Sequence, residues 1–241
     1  YTKEREHYEA ILDRMKQAQK HRGPDDDGDI LYPQTGFAHT RLSIVDLTRG
    51  HQPMTGYQYG NAYTIVYNGE LYNTSELREH LIHMGYSFRT HTDTEVILTG
   101  FIAHGVEFVK ELNGIFSFAI WDDNSKALYL VRDRLGVKPL FYTVFEHTLI
   151  FASEIKALFQ YPGFAPRVDK NGLCEIFGLG PAKSYGLGVF KDVYEVLPGH
   201  YLAYSESGIK DLRYWSLQSL PHTDSYAKTV EKTSFLLYDS V

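Results

Sequence analysis

Seven consecutive residues in the middle of the chain read Ile115-Phe116-Ser117-Phe118-Ala119-Ile120-Trp121. Nearly all of them are apolar, and such a segment is typical of a strand that is covered on both faces of its sheet. Asp123-Asn124-Ser125 then predicts a turn, and residues 127–131 predict the returning strand of a hairpin. We therefore expect a sheet in the interior of the protein, with further layers on either side of it.

Helical and extended segments alternate on both sides of this hairpin. Residues 4–20 carry apolar side chains at helical spacing, and residues 93–105 predict another helix. Strands are predicted at residues 37–45 and 62–67, and the second of these is expected to stop at the turn dipeptide Asn68-Gly69. Aromatic residues make up 15% of the chain, which also favours pleated sheet. The sequence thus predicts the α+β class.

Composition excludes several kinds of protein. The chain has 241 residues, 43% of them hydrophobic and 22% charged, which is typical of a globular domain. The net charge is -6 and no basic run occurs, so we expect no nucleic-acid partner. No apolar run approaches the ~20 residues needed to cross a bilayer, so we expect no membrane association. A single cysteine among 241 residues suits a cytoplasmic location, and the scattered histidines show no metal-site spacing.

Three features suggest an amino-acid site, and each has a simpler explanation. Arg41 places a charge in an apolar strand, but it could be a surface arginine on an edge strand. Asp93 lies at a helix start, where it could be an N-cap that contributes ~1 kcal/mol. Asn68-Gly69 could be an ordinary turn. From the residues alone these alternatives remain open.

A set of motifs in a fixed order carries a resemblance over most of residues 8–214. The motifs are His21-Arg22-Gly23-Pro24-Asp25, Arg41-Leu42-Ser43-Ile44-Val45-Asp46, Tyr67-Asn68-Gly69-Glu70-Leu71-Tyr72-Asn73, Asp93-Thr94-Glu95-Val96, Asn113-Gly114-Ile115-Phe116, Arg132-Asp133-Arg134-Leu135-Gly136-Val137-Lys138-Pro139-Leu140 and Phe151-Ala152-Ser153-Glu154-Ile155-Lys156-Ala157-Leu158. Any one of them is weak evidence. Together they resemble the class II glutamine amidotransferase domain of the asparagine synthetase B type.

The resemblance implies a fold and a set of site residues. The fold is that of the N-terminal nucleophile (Ntn) hydrolases, a four-layer αββα sandwich with mainly antiparallel sheets. In this family glutamine is hydrolysed to glutamate and ammonia. The implied substrate-binding residues are Arg41 for the carboxylate, the backbone of Leu42, Ser43, Ile44 and Val45 for the adjoining wall, and Asp93 with Glu70 for the ammonium. The side-chain amide of Asn68 and the N–H of Gly69 would form the oxyanion hole. No metal is implied.

The nucleophile that the resemblance implies is a cysteine at the mature N-terminus, whose α-amino group serves as the base. The sequence starts at Tyr1, and its one cysteine, Cys174, lies in an apolar helical stretch. Free cysteines in such stretches are usually buried and unreactive, so we expect Cys174 to be buried and not to replace the nucleophile. By itself the 241-residue chain is therefore expected to hydrolyse almost no glutamine.

The resemblance also predicts a division of the chain and its partners. Residues 1–215 would be the glutaminase domain without its N-terminal strand and cysteine, and residues 216–241 a linker and the first helix of a truncated ATP-dependent synthetase domain. That domain would use Mg-ATP and the ammonia to convert aspartate to asparagine; the glutaminase domain itself would need no cofactor. A homodimer is left open. The alternative is a β-lactam synthetase-like protein whose front domain is structural, although Arg41, Asn68, Gly69 and Asp93 argue against lost activity.

Overall fold

The computed structural model describes residues 2–42, 49–180 and 184–240. The α-helices in these ranges are α1 (Thr2–Ala18), α2 (Thr74–His83), α3 (Asp93–His104), α4 (Ile155–Leu158), α5 (Lys170–Leu179) and α6 (Tyr226–Asp239). The strands are β1 (Asp26–Leu31), β2 (Gly36–Arg41), β3 (Met54–Gln58), β4 (Asn61–Leu71), β5 (Gly114–Asp122), β6 (Ala127–Arg132), β7 (Phe141–Phe145), β8 (Thr148–Ala152), β9 (Tyr194–Glu195), β10 (His200–Ser205) and β11 (Gly208–Arg213). Short 3-10 helices span Lys20–Arg22 and Gly105–Glu111.

The largest sheet has six strands in the order β11-β10-β6-β5-β4-β3, and every neighbouring pair is antiparallel. The predicted hairpin forms its centre as β5 and β6. Side chains of β5 alternate between two cores: Phe116 and Phe118 pack with α2 and α3, whereas Ala119 and Trp121 face the opposite layer. The expectation that this strand is covered on both faces is therefore confirmed.

A second sheet layer covers the other face of the large sheet. It consists of the β1–β2 hairpin and of a three-stranded sheet in the order β8-β7-β9. The two parts lie side by side, since the rings of Phe37 in β2 and Phe151 in β8 are 5.9 Å apart between centroids. Helices α1 and α4 pack on the outside of this layer, with Met15 and Leu158 in one apolar cluster. The order of layers is αββα, as the resemblance implied.

Strand β4 differs from its prediction. Asn68 and Gly69 do not form a turn, because β4 continues to Leu71 and stays paired with β5 over its last four residues. The glycine is required by close packing: a Cβ atom at position 69 would lie 2.4 Å from the carbonyl oxygen of Ile115. A dipeptide that often makes turns is thus held extended by its neighbouring strand.

The burial predicted for Cys174 is also wrong. Helix α5 does form, capped by the Asp169 side chain, which accepts a 3.0 Å hydrogen bond from the Gly172 N–H. However, Cys174 is exposed, and so is Phe177 on the same helix. The apolar pattern indicated the helix correctly but not the layer that would cover it. In the described ranges no helix is both long and apolar enough to cross a membrane.

Candidate active site

A cavity of about 370 Å³ lies between the two parts of the second sheet layer. Residues of β2 line one side of it and residues of β8 the other, while β4, β5 and the first residues of α3 complete the wall. Among the named strands of the described residues, β2 pairs with β1 alone and β8 with β7 alone. The cavity therefore occupies the space between two open strand edges.

Arg41 lies at the end of β2 and lines this cavity. It is only 8% exposed, so the edge-strand explanation, in which the side chain would be solvated, does not hold. Its backbone carbonyl accepts a 3.1 Å hydrogen bond from the N–H of Asp25, which fixes the strand end. Leu42 also lines the cavity and is 57% exposed. Ser43, Ile44 and Val45, predicted to continue this wall, lie outside the described residues.

Asn68 presents an unpaired donor in the same cavity. Its side chain shares a face of β4 with Val66, which packs against the second sheet layer. The buried Nδ2 atom has no hydrogen-bond partner among residues 2–42, 49–180 and 184–240. Because a buried donor without a partner costs about 1–3 kcal/mol, such a group is worth explaining by function.

The backbone next to Asn68 supplies a second donor. Gly69 faces Phe116 in the β4–β5 pair, but Phe116 donates its N–H to Asp133 Oδ2 and accepts the Asp133 N–H at its carbonyl. The Gly69 N–H is therefore not bonded to β5 and points to the other edge of β4, as do the N–H groups of Tyr67 and Leu71. Gly69 lines the cavity together with Asn68. Two donors thus lie side by side where negative charge could be stabilised.

Two carboxylates also line the cavity. Asp93 is the first residue of α3, and Glu70 follows Gly69 in β4. Thr92, not Asp93, caps the helix, since its side-chain oxygen accepts the Glu95 N–H at 3.3 Å. The simpler explanation of Asp93 as an N-cap is therefore wrong. Partial burial and the negative charge of Asp93 raise the pKa of Glu70, which a positive Lys138 opposes.

Two side chains outside the predicted set of site residues fix the loop before α3. The buried Glu95 carboxylate accepts hydrogen bonds from the N–H groups of Arg89 and Thr90, the latter at 2.7 Å. Arg78 donates to the carbonyls of Thr90 and Thr92 at 2.9 and 3.2 Å. Both contacts hold the segment that delivers Asp93 to the cavity. The motif Asp93-Thr94-Glu95 contained the signal, because a carboxylate two residues after a helix start can reach back to the preceding loop.

Lys138 is a further cavity residue that the prediction missed, although it lies in one of the ordered motifs. Its N–H donates to Asp133 Oδ2 at 3.0 Å, and its carbonyl accepts from Arg132 Nε at 2.8 Å. The cavity is therefore lined by three cationic and two anionic side chains: Arg22, Arg41 and Lys138, with Glu70 and Asp93. In the part of the chain that the structure describes, no group of three or more His, Cys, Asp or Glu side chains forms a metal site.

Comparison with known proteins identifies the family. A model of the glutamine amidotransferase domain matches residues 1–215. The chain belongs to this family. Among curated members, glutamine-hydrolysing asparagine synthetase 3 of Bacillus subtilis is 46% identical over 230 residues, covering 95% of the chain and 38% of the relative. Asparagine synthetase 2 of the same organism is 39% identical, covering 96% of the chain and 32% of the relative. The chain thus spans about a third of the length of these amidotransferase relatives.

A solved structure supports the fold. The glutamine phosphoribosylpyrophosphate amidotransferase of Bacillus subtilis superposes with a TM-score of 0.54 at 21% identity, over 75% of this chain and 35% of that one. The superposition agrees with the αββα layers described above. At this identity the likeness concerns the fold alone. The roles of individual residues have to be argued from the cavity itself.

Proposed function

We propose that this chain is the glutaminase part of a glutamine-dependent asparagine synthetase. The observation that carries the proposal is the composition of one cavity: a buried guanidinium, two carboxylates, the unpaired Nδ2 donor of Asn68 and the neighbouring N–H of Gly69. Free glutamine carries an α-carboxylate, an α-ammonium and a side-chain amide. Arg41 matches the first because its planar fork can donate two parallel hydrogen bonds to a carboxylate. Asp93 and Glu70 match the second.

Glutamine held in this way would place its side-chain amide next to Asn68 and Gly69. A cysteine thiolate attacks the amide carbon, and the carbonyl oxygen takes up the negative charge of the tetrahedral intermediate. Donors from Asn68 Nδ2 and the Gly69 N–H stabilise that charge, and such donors each contribute about 10²–10³ to the rate. Ammonia leaves with a proton, and water then hydrolyses the thioester to release glutamate.

The nucleophile in this proposal is an N-terminal cysteine that is not among the 241 residues of this chain. Cys174 is exposed on α5 and is not among the described residues that line the cavity. Such a cysteine would have to reach the cavity wall next to Asn68, between β2 and β8. The names of the curated relatives support a synthetase partner domain. We assign the use of ATP and aspartate to that domain.

The test uses the full-length gene product and measures the release of glutamate from glutamine. We expect Arg41→Ala to lower kcat/KM at least hundredfold, because a buried partner of the substrate carboxylate is lost, at about 3 kcal/mol or more. The matched control is Arg213→Ala, since Arg213 also ends a strand but is exposed on β11. An unchanged kcat/KM in Arg41→Ala, or an equal loss in both variants, would rule out the assignment of Arg41.

A further inference from the structure

Tyr67 contacts a carboxylate of the cavity from the strand that also carries Asn68. It immediately precedes Asn68 in β4, but its side chain points to the opposite face, into the core formed with α2 and α3. Its hydroxyl donates a 2.7 Å hydrogen bond to Asp93 Oδ2. One strand therefore provides an amide donor on one face and, through Tyr67, a contact to the carboxylate at the start of α3.

The backbone of Tyr67 is held more firmly than that of an ordinary strand residue. Its N–H donates to Gln52 Oε1 at 2.7 Å, and its carbonyl accepts from Gln52 Nε2 at 3.2 Å. The same carbonyl accepts from His39 Nε2 at 3.1 Å. Both partners line the cavity, and the Gln52 side chain is buried. These three hydrogen bonds fix the position from which the Tyr67 hydroxyl reaches Asp93.

Asp93 needs such a contact because its own helix competes for the carboxylate. Unpaired N–H groups at a helix start attract negative side chains, and Asp93 Oδ1 already accepts the Thr94 N–H at 2.9 Å. The other oxygen, Oδ2, accepts from the Tyr67 hydroxyl and, at 3.4 Å, from the Leu71 N–H. Tyr67 thus holds Oδ2 towards β4 and away from the helix. Burial, and next the charge of Asp93, raise the pKa of Tyr67, so the phenol remains a donor at neutral pH.

We propose that Tyr67 is a positioning residue that orients the Asp93 carboxylate to receive the α-ammonium group of the substrate. The inference rests on the proposed glutaminase function and adds a residue to it. Tyr67 does not touch the reacting amide. Its contribution is to keep the ammonium subsite at a fixed distance from the donors of Asn68 and Gly69, which lie next to it in the same strand.

The experiment removes one oxygen atom. In the full-length protein we expect Tyr67→Phe to raise KM for glutamine about tenfold and to change kcat less than threefold, because the carboxylate loses its orientation while the oxyanion donors remain. Tyr63→Phe is the matched control, since Tyr63 lies on the same face of β4 but outside the cavity. Its KM should equal that of the parent protein.

A double-mutant cycle separates positioning from general stability. In an Asp93→Asn background, where the charge to be oriented is gone, Tyr67→Phe should raise KM less than twofold. An unchanged KM in Tyr67→Phe would overturn the inference, as would an equal effect in both backgrounds. Loss of folding in Tyr67→Phe but not in Tyr63→Phe would overturn it too, because the hydroxyl would then serve the core. A parent protein that releases no glutamate contradicts the proposed function instead, and glutamine binding to the two variants would then decide the role of Tyr67.

Discussion

His39 is a partly buried base that has only one of its two nitrogens paired. Nε2 donates to the Tyr67 carbonyl at 3.1 Å, so the neutral ring leaves Nδ1 as an acceptor. Nδ1 is buried and has no partner in the ranges that the structure describes. Burial lowers the pKa of His39 from 6.5 to about 4, and the positive charge of Arg41 acts in the same direction, although the hydrogen bond to Tyr67 opposes it. The ring is therefore neutral at physiological pH.

A pH dependence of folding follows from this low pKa. Between pH 6.5 and about 4 the unfolded chain binds a proton at His39 and the folded chain does not. The contribution of His39 to the free energy of unfolding is thus complete above pH 6.5. It decreases by about 3 kcal/mol in total as the pH falls towards 4. We expect His39→Gln, which keeps a donor for the Tyr67 carbonyl, to show a smaller fall in urea midpoint between pH 7 and pH 4.5 than the parent.

The control for this titration is His7→Gln, because His7 is exposed on α1. That variant should keep the full pH dependence of the parent protein. If His39→Gln lost as much stability on acidification as His7→Gln, another group would be responsible for the effect.

Among the elements, α3 depends on a glycine in its interior. Gly100 packs against the ring of Phe108, and an added Cβ atom would lie 1.9 Å from that ring. Phe108 is 2% exposed and lies in the packed core. Alanine would favour the helix by about 1 kcal/mol, but forcing an atom into a filled core costs about 1–3 kcal/mol and a contact this short lies at the upper end. The clash therefore outweighs the helix propensity.

We expect Gly100→Ala to lower the free energy of unfolding by about 2 kcal/mol. The matched substitution is Gly178→Ala in α5, where nothing lies within 4 Å of an added Cβ atom. At position 178 only the higher helix propensity of alanine acts, and the substitution should raise the free energy of unfolding by up to about 1 kcal/mol. Urea denaturation of both variants measures the difference. A Gly100→Ala protein as stable as Gly178→Ala would show that the ring of Phe108 can move aside.

The helices and strands differ in how far they could be predicted from sequence. Strand β5 was predictable because nearly all of its residues are apolar, and helix α3 because a helix-start motif precedes its apolar residues and Gly105 follows them. Strand β1 could not be predicted, because Asp26, Asp27 and Asp29 are residues that strands seldom contain. Its extended conformation comes from pairing with β2. The same applies to Asn68 and Gly69, whose extended conformation is imposed by β5. Pairing between distant segments leaves little trace in local sequence.

The residue types of the candidate site could be predicted from sequence, but the contacts that hold these residues in place could not. Charges in apolar surroundings, such as Arg41, and the ordered motifs pointed to the cavity residues that are described. Tyr67 begins one of these motifs, but its proposed role could not be derived from sequence, because that role depends on a hydroxyl contact with Asp93 across 26 positions. Gln52, which lies in a segment without a motif, is a similar case. Residues that hold a site are recognised by their contacts, whereas residues that touch a ligand are often recognised by charge.

At the scale of the whole molecule, a buried ion pair joins the two sheets. Arg132 ends β6 in the six-stranded sheet, and its Nη1 lies 2.8 Å from Oε1 of Glu195 in β9. Both side chains are almost fully buried. The guanidinium also donates to the carbonyls of Val196, Gly136 and Lys138. One cation thus binds the second sheet layer to the loop that carries Lys138 into the cavity.

Removing one charge from this pair should affect both stability and the site. Glu195→Gln leaves Arg132 buried without its counter-charge, and we expect a loss of about 3 kcal/mol in the free energy of unfolding. Glu206→Gln is the control, since Glu206 is exposed in the turn between β10 and β11 and should change stability by less than about 0.5 kcal/mol. Because the Lys138 carbonyl depends on the same guanidinium, glutamine hydrolysis by the full-length Glu195→Gln protein should weaken at temperatures where the protein is still folded. Equal unfolding midpoints for the two variants would mean that the carbonyl contacts alone hold Arg132, and that the two sheets are joined by their apolar core.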